Sequence, residues 1–363
     1  MSHIEKVSYI RLDLELNESY TIAYETVESA INYILKITTT NGISGYGCAA
    51  PDKHVTAEDP IAIETQIRDK VLPFLEGKNP YQRGELNEGI REMLPNHKSV
   101  QAMVDMALHD LVARRAKLPL YQVLGGYRDR IATSVTIGIL PVSETIVEAK
   151  RILSNGFKIL KIKGGLDIDS DIEKIKKLRE QLGSFVRIRF DANQGYTPKE
   201  TVKFIDAVSR CNLEIIEQPV HIDEDLSTYE FYTGSKVPIM ADESLKGLRD
   251  AYKIAKNKTI DMINIKLQKV GGITQGAHIN SVSKAAGNEV MIGCLDECAL
   301  GIAAGLHFAL SRPNIIYADL DAHLDFNNDP FSGLFQIKEG IMYPKMQPGL
   351  GVINSEIESM FED

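Results

Sequence analysis

The chain has 363 residues, 44% of them hydrophobic, and a formal charge of −9. That length allows one or two domains with a sizeable core. The acidic balance, without any basic run, argues against nucleic acid as a partner; no apolar stretch is long enough to span a bilayer, and the first residues lack the pattern of a signal peptide, so no membrane association is expected.

Four cysteines in so long a chain are expected to be free thiols in a reducing compartment, so the expected location is cytoplasmic. Cys294 and Cys298 have the spacing of half a metal site, but no second Cys/His pair completes it, and buried thiols are expected there.

In chain order, residues 4–14 and 29–40 read as paired strands. Asn41-Gly42 then makes a hairpin turn into Ile43-Ser44-Gly45-Tyr46-Gly47-Cys48. The polar stretch from Asn17 to Thr26, with Tyr20 and Tyr24, reads as a loop that is either a lid or plain surface. Helical periodicity follows near 58–75, 80–94 and 99–116. In the last of these Val100, Met103, Val104, Ala107, Leu108, Leu111 and Val112 share a face, and His109 and Asp110 beside it are read as structural. Segregated strands and helices indicate an α+β domain over residues 1–126.

After Leu124-Gly125-Gly126 the pattern becomes alternating. Strands over 131–139, 159–163, 186–191, 213–217, 237–242, 261–267, 289–295 and 315–321 are separated by seven helices, one of them short and placed between the fourth and fifth strands. Repeated βα units require a parallel sheet, and eight strands close it, giving a (β/α)7β TIM-like barrel over 127–321. The tail, 322–363, holds strand-like pieces at 334–338 and 341–343 and is expected to return to the first domain.

In such barrels the C-terminal strand ends line the active site. Those ends carry Lys161 and Lys163, Asp191, Glu217, Asp242, Lys266, Asp296-Glu297 and Asp319-x-Asp321; from Lys163 to Lys266 the steps are 28, 26, 25 and 24 residues, each about one βα unit. Three carboxylates on adjacent strands, with no His or Cys among them, favour Mg²⁺ over Zn²⁺; without a cation they would repel one another, and the bland alternative is three independent helix caps. Lys161 and Lys163, two apart on a strand, face the same way, and mutual repulsion is expected to lower a lysine pKa toward that of a general base. Lys266 lies across the mouth. Two lysines on opposite faces of one carbon allow a proton to leave from one face and return on the other, while a divalent ion offsets the charge of the enediolate formed beside a carboxylate.

Lys161-x-Lys163, Asp191-x-Asn193, Glu217-Gln218-Pro219, Asp242-Glu243 and Asn264-x-Lys266 with Gly271-Gly272 downstream resemble, in order and spacing, the enolase superfamily, muconate-lactonising-enzyme subgroup. The resemblance implies a capping domain on the barrel, Mg²⁺ on Asp191, Glu217 and Asp242, Lys163 and Lys266 as acid/base catalysts, and Lys161 as an electrostatic aid. Asn193 and Glu243 would stand behind the ligands. Asp319-x-Asp321 resembles the dipeptide epimerases of the L-Ala-D/L-Glu type, where the two carboxylates hold the substrate's free ammonium. Glu297 falls where the family has a glutamate after the seventh strand, and it is expected to touch substrate. The implied activity is a Mg²⁺-dependent inversion of the second Cα of a dipeptide, in a homo-oligomer on base rates. The alternatives are an N-acyl amino-acid racemase, an o-succinylbenzoate synthase or a muconate cycloisomerase, and, from another class, a non-catalytic binding protein on an inherited barrel. Two departures stand out: Cys48 follows Gly45-Tyr46-Gly47 where relatives have Glu, and Glu25, beside Tyr24, stands where relatives acting on Ala-Glu have an Arg. Both Tyr24 and Glu25 are expected to touch substrate, and Glu25 would repel an acidic side chain.

Overall fold

The computed structural model describes residues 2–224, 237–257 and 260–361. Three strands, β1 (Ile4–Thr21), β2 (Thr26–Thr39) and β3 (Ser44–Ala49), form an antiparallel sheet in that order. The polar stretch expected to be a loop is mostly strand: β1 runs on to Thr21, paired as Tyr20↔Val27 beyond a register shift after Glu15, so only a tight turn at 22–25 connects it to β2. Gly45-Tyr46-Gly47 lies within β3, after the expected turn at Gly42, whose φ is +77°. The glycines are explained by close approach. A Cβ at Gly47 would stand 1.9 Å from the Met103 carbonyl oxygen, and one at Gly45 2.3 Å from that of Ala107. The sheet is thus pressed onto the helix Lys98–Ala116, and Tyr33, Leu35, Ile37, Val100, Met103, Val104 and Leu108 share one core with the helix Arg83–Met93.

The next strands are β4 (Ile131–Ala132), β5 (Val135–Ile137), β6 (Ile159–Lys163), β7 (Arg187–Asp191), β8 (Leu213–Glu217), β9 (Ile239–Ala241), β10 (Met262–Lys266), β11 (Glu289–Gly293) and β12 (Ile315–Ala318). β5 through β12 make one parallel eight-stranded sheet in sequence order, and its edges meet where Thr133 bridges Ala318. Helices Val142–Ser154, Ile168–Leu182, Pro198–Val208, Leu248–Asn257, Ile273–Ala286 and Ala299–Ser311 alternate with these strands. The short helix expected between the fourth and fifth barrel strands falls largely on residues outside the described ones. On β6, Leu160 and Ile162 join the large core shared with the helices, while Lys161 and Lys163 point inward. Below them Ile215, Met240, Met262 and Met291 fill the barrel. Arg189 lies in the same interior and donates to the Ala318 carbonyl oxygen at 2.7 Å and to Glu214 at 2.7 Å.

The tail forms β13 (Phe335–Lys338) and β14 (Ile341–Pro344), which pair with β4. Its later residues reach the first sheet: Asp110 accepts from the N–H of Leu350 at 2.7 Å and of Tyr46 at 2.9 Å, and Glu358 meets Lys36 and Tyr46. Buried His109 donates from Nδ1 to the Asp105 carbonyl oxygen at 2.8 Å, so both His109 and Asp110 are structural. No helix among the described residues is long and apolar enough to cross a membrane. The cysteines are free; Cys48, Cys211 and Cys298 are buried, and the sulfur of Cys298 meets Cys48 at 3.7 Å rather than pairing with Cys294.

Candidate active site at the barrel mouth

Strand register brings the charged ends together. Lys163 lies beside Asp191, Asp191 beside Glu217, and Glu217 beside Met240, which leads to Asp242. Lys163 is on the second of the eight barrel strands and Lys266 on the sixth, four steps apart in either direction around the sheet. They therefore face each other across the mouth, with the three carboxylate strands between them on one side. A cavity of about 260 Å³ opens there, just under the usual small-ligand range of about 300–1,000 Å³. Lys161, Lys163, Lys266, Asn193, Asp319 and Asp321 all line it.

The carboxylates are buried and each is held by ammonium groups. The Lys161 Nζ sits 3.0 Å from Asp191, 2.8 Å from Glu217 and 2.8 Å from Asp319. Lys163 donates to Asp191 at 2.8 Å and to the Asn193 side-chain oxygen at 2.9 Å. Asp242 pairs with Lys266 at 2.9 Å and closely with Lys269. Of the residues that the resemblance gives to Mg²⁺, Asp191 and Glu217 share Lys161, while Lys266 and Lys269 hold Asp242. The donor set still suits a hard divalent cation, being three buried carboxylates with neither His nor thiol among them. Burial, together with Asp191, pushes Glu217 up to about 8, and burial with Asp242 pushes Glu243 up to about 7, the direction expected of carboxylates crowded out of water beside one another. One Glu243 oxygen accepts from Asn193 at 3.2 Å and the other is buried without a partner.

The expected lowering of a lysine pKa by its neighbour does not hold at Lys161. Burial does oppose its charge, but Asp191, Asp319 and Glu217 outweigh it and raise Lys161 well above the ordinary value. Lys266 is raised likewise, burial being outweighed chiefly by Asp242. Asp191 is lowered, because Lys161 and Lys163 overcome its burial.

Across the mouth, Asp319 accepts from Ser134 at 2.6 Å and is held down to about 2: burial is outweighed by Lys161. Asp321 accepts from the Thr136 N–H at 2.6 Å, and burial beside Asp319 pushes it up to about 6. Tyr24 and Glu25 line the cavity from the turn after β1; the Tyr24 ring stands 4.8 Å from that of His54, which lies 3.5 Å from Glu25. Glu297 does not line the cavity. It points under the barrel helix, one oxygen on the Gln268 amide at 3.0 Å and the other on the Leu295 N–H at 3.1 Å, and burial pushes it up to about 7. Its neighbour Asp296 takes the cavity position and accepts from the Tyr20 hydroxyl at 2.7 Å. Sequence reasoning missed Asp296's place, Lys269, and the contact of Asn264, which donates to Glu217 at 2.7 Å. The run Asn264-x-Lys266-x-x-Lys269 carries the signal for two of them: Asn264 and Lys266 share a strand face, and Lys269 follows within one helical turn.

Fold and site together define an α/β barrel with a lysine-and-carboxylate mouth beside an antiparallel cap, the architecture of the enolase superfamily. The chain belongs to the mandelate racemase / muconate lactonizing enzyme family: residues 7–125 match its N-terminal domain and residues 144–356 match the enolase C-terminal domain-like family. It is 37% identical to the L-Ala-D/L-Glu epimerase of Bacillus subtilis (strain 168), over 98% of each chain. It is 39% identical to the L-Lys-D/L-Arg epimerase of Desulforapulum autotrophicum, over 96% of this chain and 99% of that one. Among solved structures it resembles the dipeptide epimerase of Enterococcus faecalis V583 complexed with Mg and L-Leu-L-Tyr, with a TM-score of 0.93, 36% identity, and 97% of this chain and 100% of that one covered.

Proposed function

We propose that this chain is a Mg²⁺-dependent dipeptide epimerase that inverts the Cα of the C-terminal residue. The observation that carries the reading is the opposition of Lys163 and Lys266 across a mouth whose far wall is the Asp319/Asp321 pair. Asp191, Glu217 and Asp242 would hold the ion, which when bound supplies positive charge against the second negative charge that develops on the substrate carboxylate. Lys163 and Lys266 work as a pair: one Nζ takes the Cα proton from its face, and the other delivers a proton to the opposite face. Asn193 accepts from Lys163 and so fixes where its ammonium points. Lys161 stays charged and adds to the field at the substrate carboxylate. Asp319 and Asp321, both buried, take the free ammonium of the first residue.

We assign residues 1–126 and 322–363 to the cap and 127–321 to the barrel. Free thiols support a cytoplasmic location, and a homo-oligomer is the base-rate expectation. Chiral analysis of the hydrolysed product after incubation with L,L-dipeptides tests the activity. A D residue is expected at the second position only, lost on chelation and regained with Mg²⁺. Product that stays L,L with every dipeptide would reject the proposal.

A further inference from the structure

Resting on the dipeptide reading, we propose that the preferred substrate carries a lysine or arginine side chain, received by Asp296 and Asp325. Each cation on the cavity wall already has an anionic partner: Lys161 is shared among three carboxylates, Lys163 is on Asp191, and Lys266 is on Asp242. Arg151 is held by Glu148 through two nitrogens, Nε at 2.7 Å among them, so its fork is used up and is not free to receive a glutamate side chain.

Carboxylates remain over. Asp321 has only the Thr136 N–H and the Cys294 thiol, and Asp296 has only the Tyr20 hydroxyl. Asp325 lies one short turn beyond Asp321, across Ala322–Leu324, and lines the same cavity. Among the described residues, no lysine or arginine makes an ion pair with Asp296 or Asp321, and Asp325 has only the attraction of Arg151, which Glu148 already holds. These carboxylates leave the wall with acceptors that a cationic ligand can meet. The substrate's own ammonium satisfies Asp319 and Asp321. A second cation is needed for Asp296 and Asp325, and the side chain is the part of a dipeptide that has one to offer. Glu25 and Asp52, on the facing turns, add to the repulsion of an acidic side chain.

The test compares kcat/KM for L-Lys-L-Ala, L-Ala-L-Lys, L-Leu-L-Leu and L-Ala-L-Glu in the Mg²⁺-loaded enzyme, followed by proton NMR in D₂O at fixed ionic strength. At least one lysine dipeptide is expected to exceed both others by about 30-fold or more, since a charged acceptor left unmatched in the cavity discriminates against neutral and acidic side chains. Asp296→Asn and Asp325→Asn are each expected to reduce that ratio about tenfold; the second, on the rim, keeps the test open should the first fail to fold. Turnover of neutral or acidic dipeptides at equal or greater efficiency would overturn this inference and leave the epimerase reading intact. So would a ratio unmoved in both variants. Absence of turnover with any dipeptide would overturn both.

Discussion

Lys266→Ala separates the two halves of the reaction. Lys266 is 7% exposed, and its Nζ is 2.9 Å from Asp242, which also keeps Lys269. The substitution therefore leaves Asp242 paired with one ammonium, and Lys163 stays in place on Asp191 and Asn193, on the other side of the mouth. A positioned acid/base group contributes roughly 10²–10⁴ in rate, so epimerisation is expected to fall by about a thousandfold, equivalent to ~4 kcal/mol in the barrier. Exchange with solvent need not fall equally. The epimer whose Cα proton faces Lys163 can still lose it and regain deuterium on the same face, with retention. In Lys266→Ala, one of the L,L and L,D forms should thus wash in deuterium without inverting, while the other should be inert. Lys163→Ala should show the reverse pairing. Proton NMR in D₂O, starting from each epimer separately, reads this directly. If both variants exchange the same epimer, or if either still inverts at the wild-type rate, the two lysines do not work from opposite faces and the reasoning is refuted.

Asp321→Asn removes a buried charge without touching Lys161. It is expected to weaken turnover of free dipeptides about 10–100-fold, mainly through KM, as the loss of a charge-assisted hydrogen bond of ~1.5–3 kcal/mol implies; steady-state kinetics should find no such loss for an N-acetylated dipeptide, if one is turned over. His307 is buried, accepts from the Tyr121 N–H at 3.0 Å, and is pushed by burial down to about 3. A depressed folded-state value means its stabilising effect is present above the unfolded pKa of about 6.5 and is lost as pH falls from there toward 3. Urea unfolding should therefore show wild type losing about 2 kcal/mol more than His307→Gln between pH 7 and pH 5. Gly47→Ala places a methyl 1.9 Å from the Met103 carbonyl oxygen, a backbone atom that cannot swing aside, and should destabilise by about 3 kcal/mol in the same assay.

Why some features were legible in the sequence and others were not has a physical basis. The barrel was legible because strand period and helix period alternate over the whole stretch from Ile131 to Ala318, and the units from the second strand to the sixth bring a charged residue to the strand end that a plain core strand would not carry. Asp191, Glu217 and Asp242 meet the lysines because parallel register aligns strand ends, a property of the backbone rather than of the particular side chains. The end of β1 was hidden because Asn17-Glu18-Ser19 is polar on both faces and falls in the register shift between Glu15 and Tyr20, where the Asn17 N–H donates to the distant Asp325 carbonyl oxygen at 2.6 Å. The lysine pKa was misjudged because local spacing pairs Lys161 with Lys163, whereas three carboxylates from other strands decide the field. Asp296 and Glu297 are adjacent, and nothing in the sequence says which turns inward; Gln268, a long-range partner, takes Glu297 and leaves Asp296 to the cavity.

Two lysines facing one carbon from opposite sides make a simple demand on isotope content. Wild-type enzyme with Mg²⁺ and an L,L-dipeptide in D₂O should place one deuterium at the second Cα of every inverted molecule and none at the first. Inversion with the original proton retained throughout, or deuterium at the first Cα, would contradict the account.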